Sequence, residues 1–171
     1  GRHAGTVTAA MVRGRFITLE GGEGAGKSTQ IRLLAEALRA TGTDVVTTRE
    51  PGGSPGAEAV RDLLVNGDPG RWLPVSEAML LSAARHDHVM RTIRPALESG
   101  RWVLCDRFAD STLAYQGYGH GLDHRVLTTL RDIAVGDTVP DLTLILGIDP
   151  ALGLARAAAR RGGRIVMNGC R

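Results

Sequence analysis

Apolar residues along this chain gather into short runs rich in β-forming side chains. Between those runs they recur every three to four positions. Phe16 to Leu19, Asp44 to Thr48, Trp102 to Cys105 and Leu142 to Ile148 read as four buried strands. Ile31, Leu34, Ala35 and Leu38 fall on one face of a helix from Lys27 to Ala40, which Gly42 ends. Val60, Leu63 and Leu64 mark a second helix. A long third one runs from about Ser76 towards Ser99, perturbed at Pro95, whose ring and missing N–H interrupt helical bonding. A fourth starts at the N-cap Asp123 and stops at Gly136, and a fifth starts at Pro150, a residue suited to a first helical position. Strands alternating with helices predict an α/β fold with a doubly wound parallel sheet covered on both faces. In such a fold ligands bind at the carboxyl ends of the strands.

The chain of 171 residues is sized for one domain with a substantial core. Residues 14–162 carry the alternating pattern. Residues 1–13 read as a disordered extension within which Met11 could be the start, and 163–171 as an atypical tail. The net charge is +3 and the sequence pI about 9.4. The arginines are scattered through apolar-periodic segments and form no basic stripe interleaved with aromatics, so small anionic ligands are expected and no nucleic acid. Two cysteines, Cys105 in an apolar run and Cys170 near the end, make neither a disulfide framework nor a metal spacing, and a reducing cytoplasm is the expected home. No run is long enough for a membrane span, and residues 1–10 do not resemble a signal peptide.

The candidate chemistry starts at Lys27, the single lysine among 21 cationic residues. It lies in Gly21-Gly22-Glu23-Gly24-Ala25-Gly26-Lys27-Ser28-Thr29, which fits G-x-x-x-x-G-K-[ST] between a strand and a helix, the context a phosphate-binding loop needs. The glycines let successive backbone N–H groups turn inward on phosphate oxygens, and the following helix adds its positive end. Lys27 would reach the β- and γ-phosphates of a nucleotide, and the Ser28 hydroxyl would ligate Mg²⁺. The third strand ends in Asp106-Arg107, which a doubly wound sheet brings beside this loop. Asp106 could hold Mg²⁺, and Arg107 could spread charge over a transferring phosphoryl group; the alternative is an ordinary surface ion pair. Downstream, Thr112, Tyr115 and Gln116 bring a hydroxyl, an aromatic face and a carboxamide close together, the parts needed to read a base. Taken alone they suit ordinary surface and core positions equally well.

Four blocks in order are Leu19 to Thr29, Thr48-Arg49-Glu50-Pro51-Gly52-Gly53, Ala83-Ala84-Arg85, and Asp106-Arg107-Phe108 followed by Ser111 to Gly117. Together they closely resemble the bacterial thymidylate kinases, from about Arg15 to Gly162. The resemblance implies a P-loop NTPase-type doubly wound sheet and transfer of the γ-phosphoryl group of ATP to dTMP, giving ADP and dTDP, with Mg²⁺. It also implies a homodimer pairing through helices that include the second and third. Carried onto matching positions, it makes Arg49 and Arg107 ligands of the acceptor phosphate and Arg85 a hydrogen-bond partner of the thymine edge. Tyr115 would pack on the nucleotide, with Thr112 and Gln116 fixing the base. Glu23 would be the loop acid that positions phosphates and metal near the sugar 3′-hydroxyl. A lid after the fourth strand would carry Arg156 and Arg160 or Arg161 to the phosphates. His86 and His88 read as surface residues.

Three departures from the family pattern stand out. Gly147 replaces an aspartate and weakens the fourth strand, and Leu81 stands where many relatives put an aromatic under the thymine ring. After Gly162 the chain no longer follows the family, which continues with the rest of its lid, a long helix, a last strand and an adenine-contacting loop. The expectation is therefore a four-stranded sheet lacking that last strand, with the fourth strand an exposed edge. Two other readings remain at this point: a catalytically silent nucleotide-binding remnant, and a kinase for another nucleoside monophosphate.

Overall fold

The computed structural model describes residues 12–66, 70–112, 114, 116–117 and 121–160, with Arg160 described by its backbone alone. Among the described residues four strands, β1 (Phe16–Gly21), β2 (Val45–Arg49), β3 (Trp102–Asp106) and β4 (Leu142–Leu146), form one parallel sheet in the order β2-β3-β1-β4. Among the described residues seven α-helices accompany them: α1 (Lys27–Ala40), α2 (Pro55–Val65), α3 (Pro74–His88), α4 (Arg94–Glu98), α5 (Ala109–Thr112), α6 (His124–Val135) and α7 (Pro150–Arg160).

Side-chain alternation along the strands divides the core between the two faces of the sheet. Ile17, Leu19 and Leu104 pack with Ile31 and Ala35 of α1, while Phe16, Val103 and Cys105 pack with Val89, Ile93, Leu97 and Val135. Phe16 and Phe108 meet edge to face at 5.0 Å. The helix signals read from the sequence hold at their ends. Asp123 Oδ1 accepts the Arg125 N–H, Gly136 follows α6 with φ 56°, and Gly42 follows α1 with φ 86°.

The long third helix differs from its expected form. It begins at Pro74, and Val89–Ile93 form a π-helical turn joining α3 to α4. Pro95 lacks an N–H and its ring crowds the carbonyl four residues back. The preceding turn widens, so that the Arg94 N–H reaches the Val89 carbonyl. The fourth strand also differs: it ends at Leu146, so Gly147 lies beyond it and does not weaken it, and a Cβ there would meet nothing within 4 Å. The apolar run by itself reads as a buried strand, but β4 is largely exposed, with Ile145 80 % accessible, because among the described residues β1 is its only neighbour in the sheet, as expected of an edge strand.

Candidate active site

The strand order brings three carboxyl ends together. Leu19 lies in register with Asp106, and Arg49 with Asp106 on the other side. The Arg107 N–H donates to the Leu19 carbonyl at 2.9 Å and the Glu50 N–H to the Asp106 carbonyl at 2.9 Å, which continues the sheet's bonding into the site. The loops after β1, β2 and β3 therefore share one end of the sheet.

The loop after β1 winds through Gly21, Gly24 and Gly26, with φ of 142°, 73° and 90°. Gly24 also faces a close neighbour: a Cβ there would lie 2.1 Å from the Gly153 carbonyl oxygen of α7. A Cβ on Gly153 would in turn lie 2.6 Å from the Glu23 carbonyl oxygen. The two glycines let α7 sit directly on the loop, and Ala157 of α7 lines the resulting cleft with Glu23, Lys27, Ser28, Asp106 and Arg107.

Within the cleft the Lys27 ammonium donates to the Gly21 and Gly22 carbonyls at 2.9 and 3.0 Å. Burial foremost, and then the nearby Arg107, lower its pKa. The Ser28 hydroxyl donates to Asp106 Oδ2 at 3.0 Å, so two hard oxygen donors converge at the strand end. Arg107 has φ 68°, a left-handed conformation costly for a side-chain-bearing residue. Its Nη2 lies 3.0 Å from Glu23 Oε1 and its Nη1 3.4 Å from the Ser111 hydroxyl. Glu20 fixes this turn from beneath by accepting the Phe108 N–H at 2.7 Å and the Ser111 hydroxyl. Its burial raises its pKa, and the Ser111 and Phe108 hydrogen bonds only partly offset that.

Beside the Asp106-Arg107 turn, Arg85 is buried rather than solvated. Its Nε donates to Glu50 Oε2 at 2.7 Å, its Nη2 to Thr112 Oγ1 at 2.8 Å and the Phe108 carbonyl at 3.2 Å, and the guanidinium lies over the Phe108 ring. Leu81 sits one turn before Arg85 on the same helix and is partly buried. Gln116 is buried and donates to Glu77 Oε1 at 2.9 Å. Arg49 is exposed and pairs with Glu58. Arg156 is exposed on α7, next to Ala157. Tyr115, Arg161 and the tail 163–171 lie outside the described residues, as does the Arg160 side chain.

Sequence reasoning gave no role to Glu20 or Glu50, and it misread His88. That histidine is fully buried, not at the surface. Its Nδ1 lies 3.1 Å from Glu50 Oε1 and its Nε2 2.7 Å from Thr48 Oγ1. His86, two residues before it, is exposed as expected. The available signals were modest: Glu20 and Glu50 are acids at strand ends, and His88 stands three residues after Arg85, on the same side of the helix.

Comparison with known proteins agrees with this geometry. The family model described as thymidylate kinase matches residues 19–166, a few residues past the Gly162 limit seen in the motifs. Curated thymidylate kinases from Caulobacter vibrioides and Magnetococcus marinus are 60% and 57% identical, over 89% and 90% of this chain and 73% and 72% of their own lengths. A crystal structure of thymidylate kinase from Ehrlichia chaffeensis superposes with a TM-score of 0.75 at 39% identity, covering 89% of this chain and 90% of that one. With a phosphate-binding loop, an Asp-Arg strand end and a buried Arg85 joined on the family's parallel sheet, the chain belongs to the thymidylate kinase family.

Proposed function

We propose that the protein transfers the γ-phosphoryl group of ATP to dTMP, with ADP and dTDP as products. An oxygen of the dTMP phosphate attacks the γ-phosphorus, and the bond from that phosphorus to the bridging oxygen breaks, leaving its electrons on ADP. The observation that carries the reading is the convergence of Lys27, Ser28, Asp106 and Arg107 in one cleft beside Arg85. Identities near 60% with thymidylate kinases favour dTMP over other nucleoside monophosphates as the acceptor.

In this reading the backbone N–H groups of residues 21–29 hold the ATP phosphates, and Lys27 exchanges the Gly21 and Gly22 carbonyls for β- and γ-phosphate oxygens. Arg107 and Arg49 offer guanidinium forks to the acceptor phosphate. Glu23 orients Arg107 and lies towards the sugar hydroxyl, and Arg85 with Thr112, Leu81, Tyr115 and Gln116 receives the thymine. Arg156 and Arg160 or Arg161 bring lid charge to the phosphates and help exclude water. Mg²⁺ suits the hard oxygens of Ser28 and Asp106 and, when bound, neutralises phosphate charge. We further propose a homodimer working in the cytoplasm.

The test is product analysis by phosphorus NMR of the protein with ATP, Mg²⁺ and dTMP. Equimolar ADP and dTDP are expected. ADP with inorganic phosphate and no dTDP would show hydrolysis instead and overturn the reading.

A further inference from the structure

We infer that His88 is a positioning residue for the acceptor nucleotide, acting through Glu50 on Arg85 and through Thr48 and Gly53 on the end of β2, which carries Arg49, and the loop after it. The inference rests on the reading of Arg85 and Arg49 as acceptor ligands given above.

His88 has no solvent exposure, and both ring nitrogens have partners. Its Nδ1 faces a carboxylate oxygen, which can only accept, so Nδ1 carries the proton. This contact occupies Glu50 Oε1 while Arg85 Nε occupies Oε2. With both oxygens engaged from α3, the carboxylate cannot turn about its last torsion, and Nε of Arg85 is fixed in direction. The planar guanidinium then has its remaining edge fixed too, with Nη2 on Thr112 and the Phe108 carbonyl. Without the imidazole, Oε1 loses a buried partner and the carboxylate is free to rotate away from Arg85.

The other side of the ring holds the β2 loop. Nε2 and the Thr48 hydroxyl lie so close to the Gly53 backbone that a Cβ there would sit 2.3 Å from the one and 2.4 Å from the other. Gly53, with φ 87°, is clamped further by Thr92 Oγ1 donating to its carbonyl at 2.7 Å and by its own N–H donating to Glu58 Oε1 at 2.9 Å. Glu58 is also the ion-pair partner of Arg49. One imidazole thus links the base-reading arginine to the phosphate-binding arginine through Glu50 on one side and through Thr48 and the Gly53 backbone on the other.

The two halves of the ring can be separated by substitution. An asparagine amide reaches roughly the place of Nδ1 and a glutamine amide roughly the place of Nε2, while leucine fills the volume with no polar atom. Steady-state kinetics of the purified protein and its His88→Asn, His88→Gln and His88→Leu variants would be read as kcat/KM for dTMP against dCMP, with KM for ATP as the internal control. Arg85 reads a base oxygen that cytosine replaces by an amino group. His88→Gln and His88→Leu should therefore lose discrimination on the order of 10- to 100-fold with KM for ATP within about twofold. His88→Asn should retain most of the discrimination. Wild-type discrimination in His88→Leu and His88→Gln, or equal loss in the asparagine and glutamine variants, would overturn the inference. Proportional loss towards ATP and dTMP with unchanged discrimination would reduce His88 to a packing role and overturn it as well. A wild-type protein that turns over no dTMP would instead overturn the functional reading beneath it.

Discussion

Lys27 lies with its ammonium turned back on its own loop, bonded to the Gly21 and Gly22 carbonyls and nearly buried. Neutral carbonyls satisfy it in the absence of phosphate, and burial, which lowers its pKa, disfavours the charged form there. Phosphate oxygens would replace those carbonyls with charge-assisted bonds of about twice the strength. Replacing Lys27 with alanine should therefore lower kcat by about 10²- to 10³-fold, the usual loss for one donor to a developing charge. Its melting temperature should stay near wild type, since only two carbonyl contacts at a wet loop are lost; a coupled assay for ADP alongside a thermal melt checks both. The place of Lys27 in the cleft was legible in the sequence because the loop is a contiguous pattern with a fixed mechanical reason for each residue. Glu50 and His88 were not legible, because their partners lie 35 to 40 residues away and only the fold brings them together. A buried histidine and an exposed one, His88 and His86, look alike when α3 is read without knowing what packs on each side.

Close approach of elements shapes the site as much as individual side chains do. Alanine at Gly153 would ordinarily favour the α7 helix by up to about 1 kcal/mol. Here its Cβ would fall 2.6 Å from the Glu23 carbonyl, an atom of the phosphate loop that cannot move aside cheaply. Overpacking of this kind costs about 1–3 kcal/mol, so the clash outweighs the helix gain. Gly153→Ala should raise KM for ATP by roughly tenfold, which initial rates against ATP concentration would show. At the other end of the sheet, Asp141 ties the start of β1 to the start of β4. Its Oδ2 accepts the Phe16 N–H at 2.7 Å, and the Asp141 N–H donates to the Phe16 carbonyl at 2.7 Å. The Phe16 N–H donated to the carboxylate first, and Arg15 and Arg13 after it, hold its pKa below the ordinary 3.8. A depressed carboxyl pKa gives stability that is complete above 3.8 and fades as pH falls through the lower folded value. Asp141→Asn should cost about 1–2 kcal/mol near neutral pH, and the gap to wild type should close below pH 3.8 in denaturant melts across pH. A gap constant with pH would mean that packing, not the ionised carboxylate, is what the substitution disturbs. Elements were more legible than their joints: capping residues marked α6 and the end of α1, and Pro95 marked a perturbed helix without showing that the perturbation would be a π turn over Val89–Ile93. The run Leu142 to Leu146 alone reads as buried, because it shows apolarity but not how many neighbours will cover it, and only the departure from the family pattern after Gly162 marked β4 as an exposed edge.

At the scale of the whole molecule, one topological fact organises the function. Placing β1 between β3 and β4, with β2 outside β3, gathers Gly21, Arg49 and Asp106 at the carboxyl end of the sheet. None of the described helices is long and apolar enough to cross a membrane. The surface formed by α2, α3 and the segment before α3 exposes Leu63, Val65, Leu73, Val75 and Met79. Apolar exposure of this kind on the proposed pairing helices is what a dimer would cover. Sedimentation velocity at micromolar concentration should show a dimer that a Met79→Glu variant weakens; a wild-type monomer would contradict the pairing without touching the chemistry. The central claim concerns the acceptor, and one comparison tests it most directly: kcat/KM for ADP formation with ATP and Mg²⁺ against dTMP, dUMP, AMP, CMP and GMP. The account predicts turnover that depends on dTMP, exceeds that with every other acceptor and falls by about 10²- to 10³-fold in Lys27→Ala. A folded protein that shows no dTMP-dependent turnover, or that prefers another monophosphate, would contradict it.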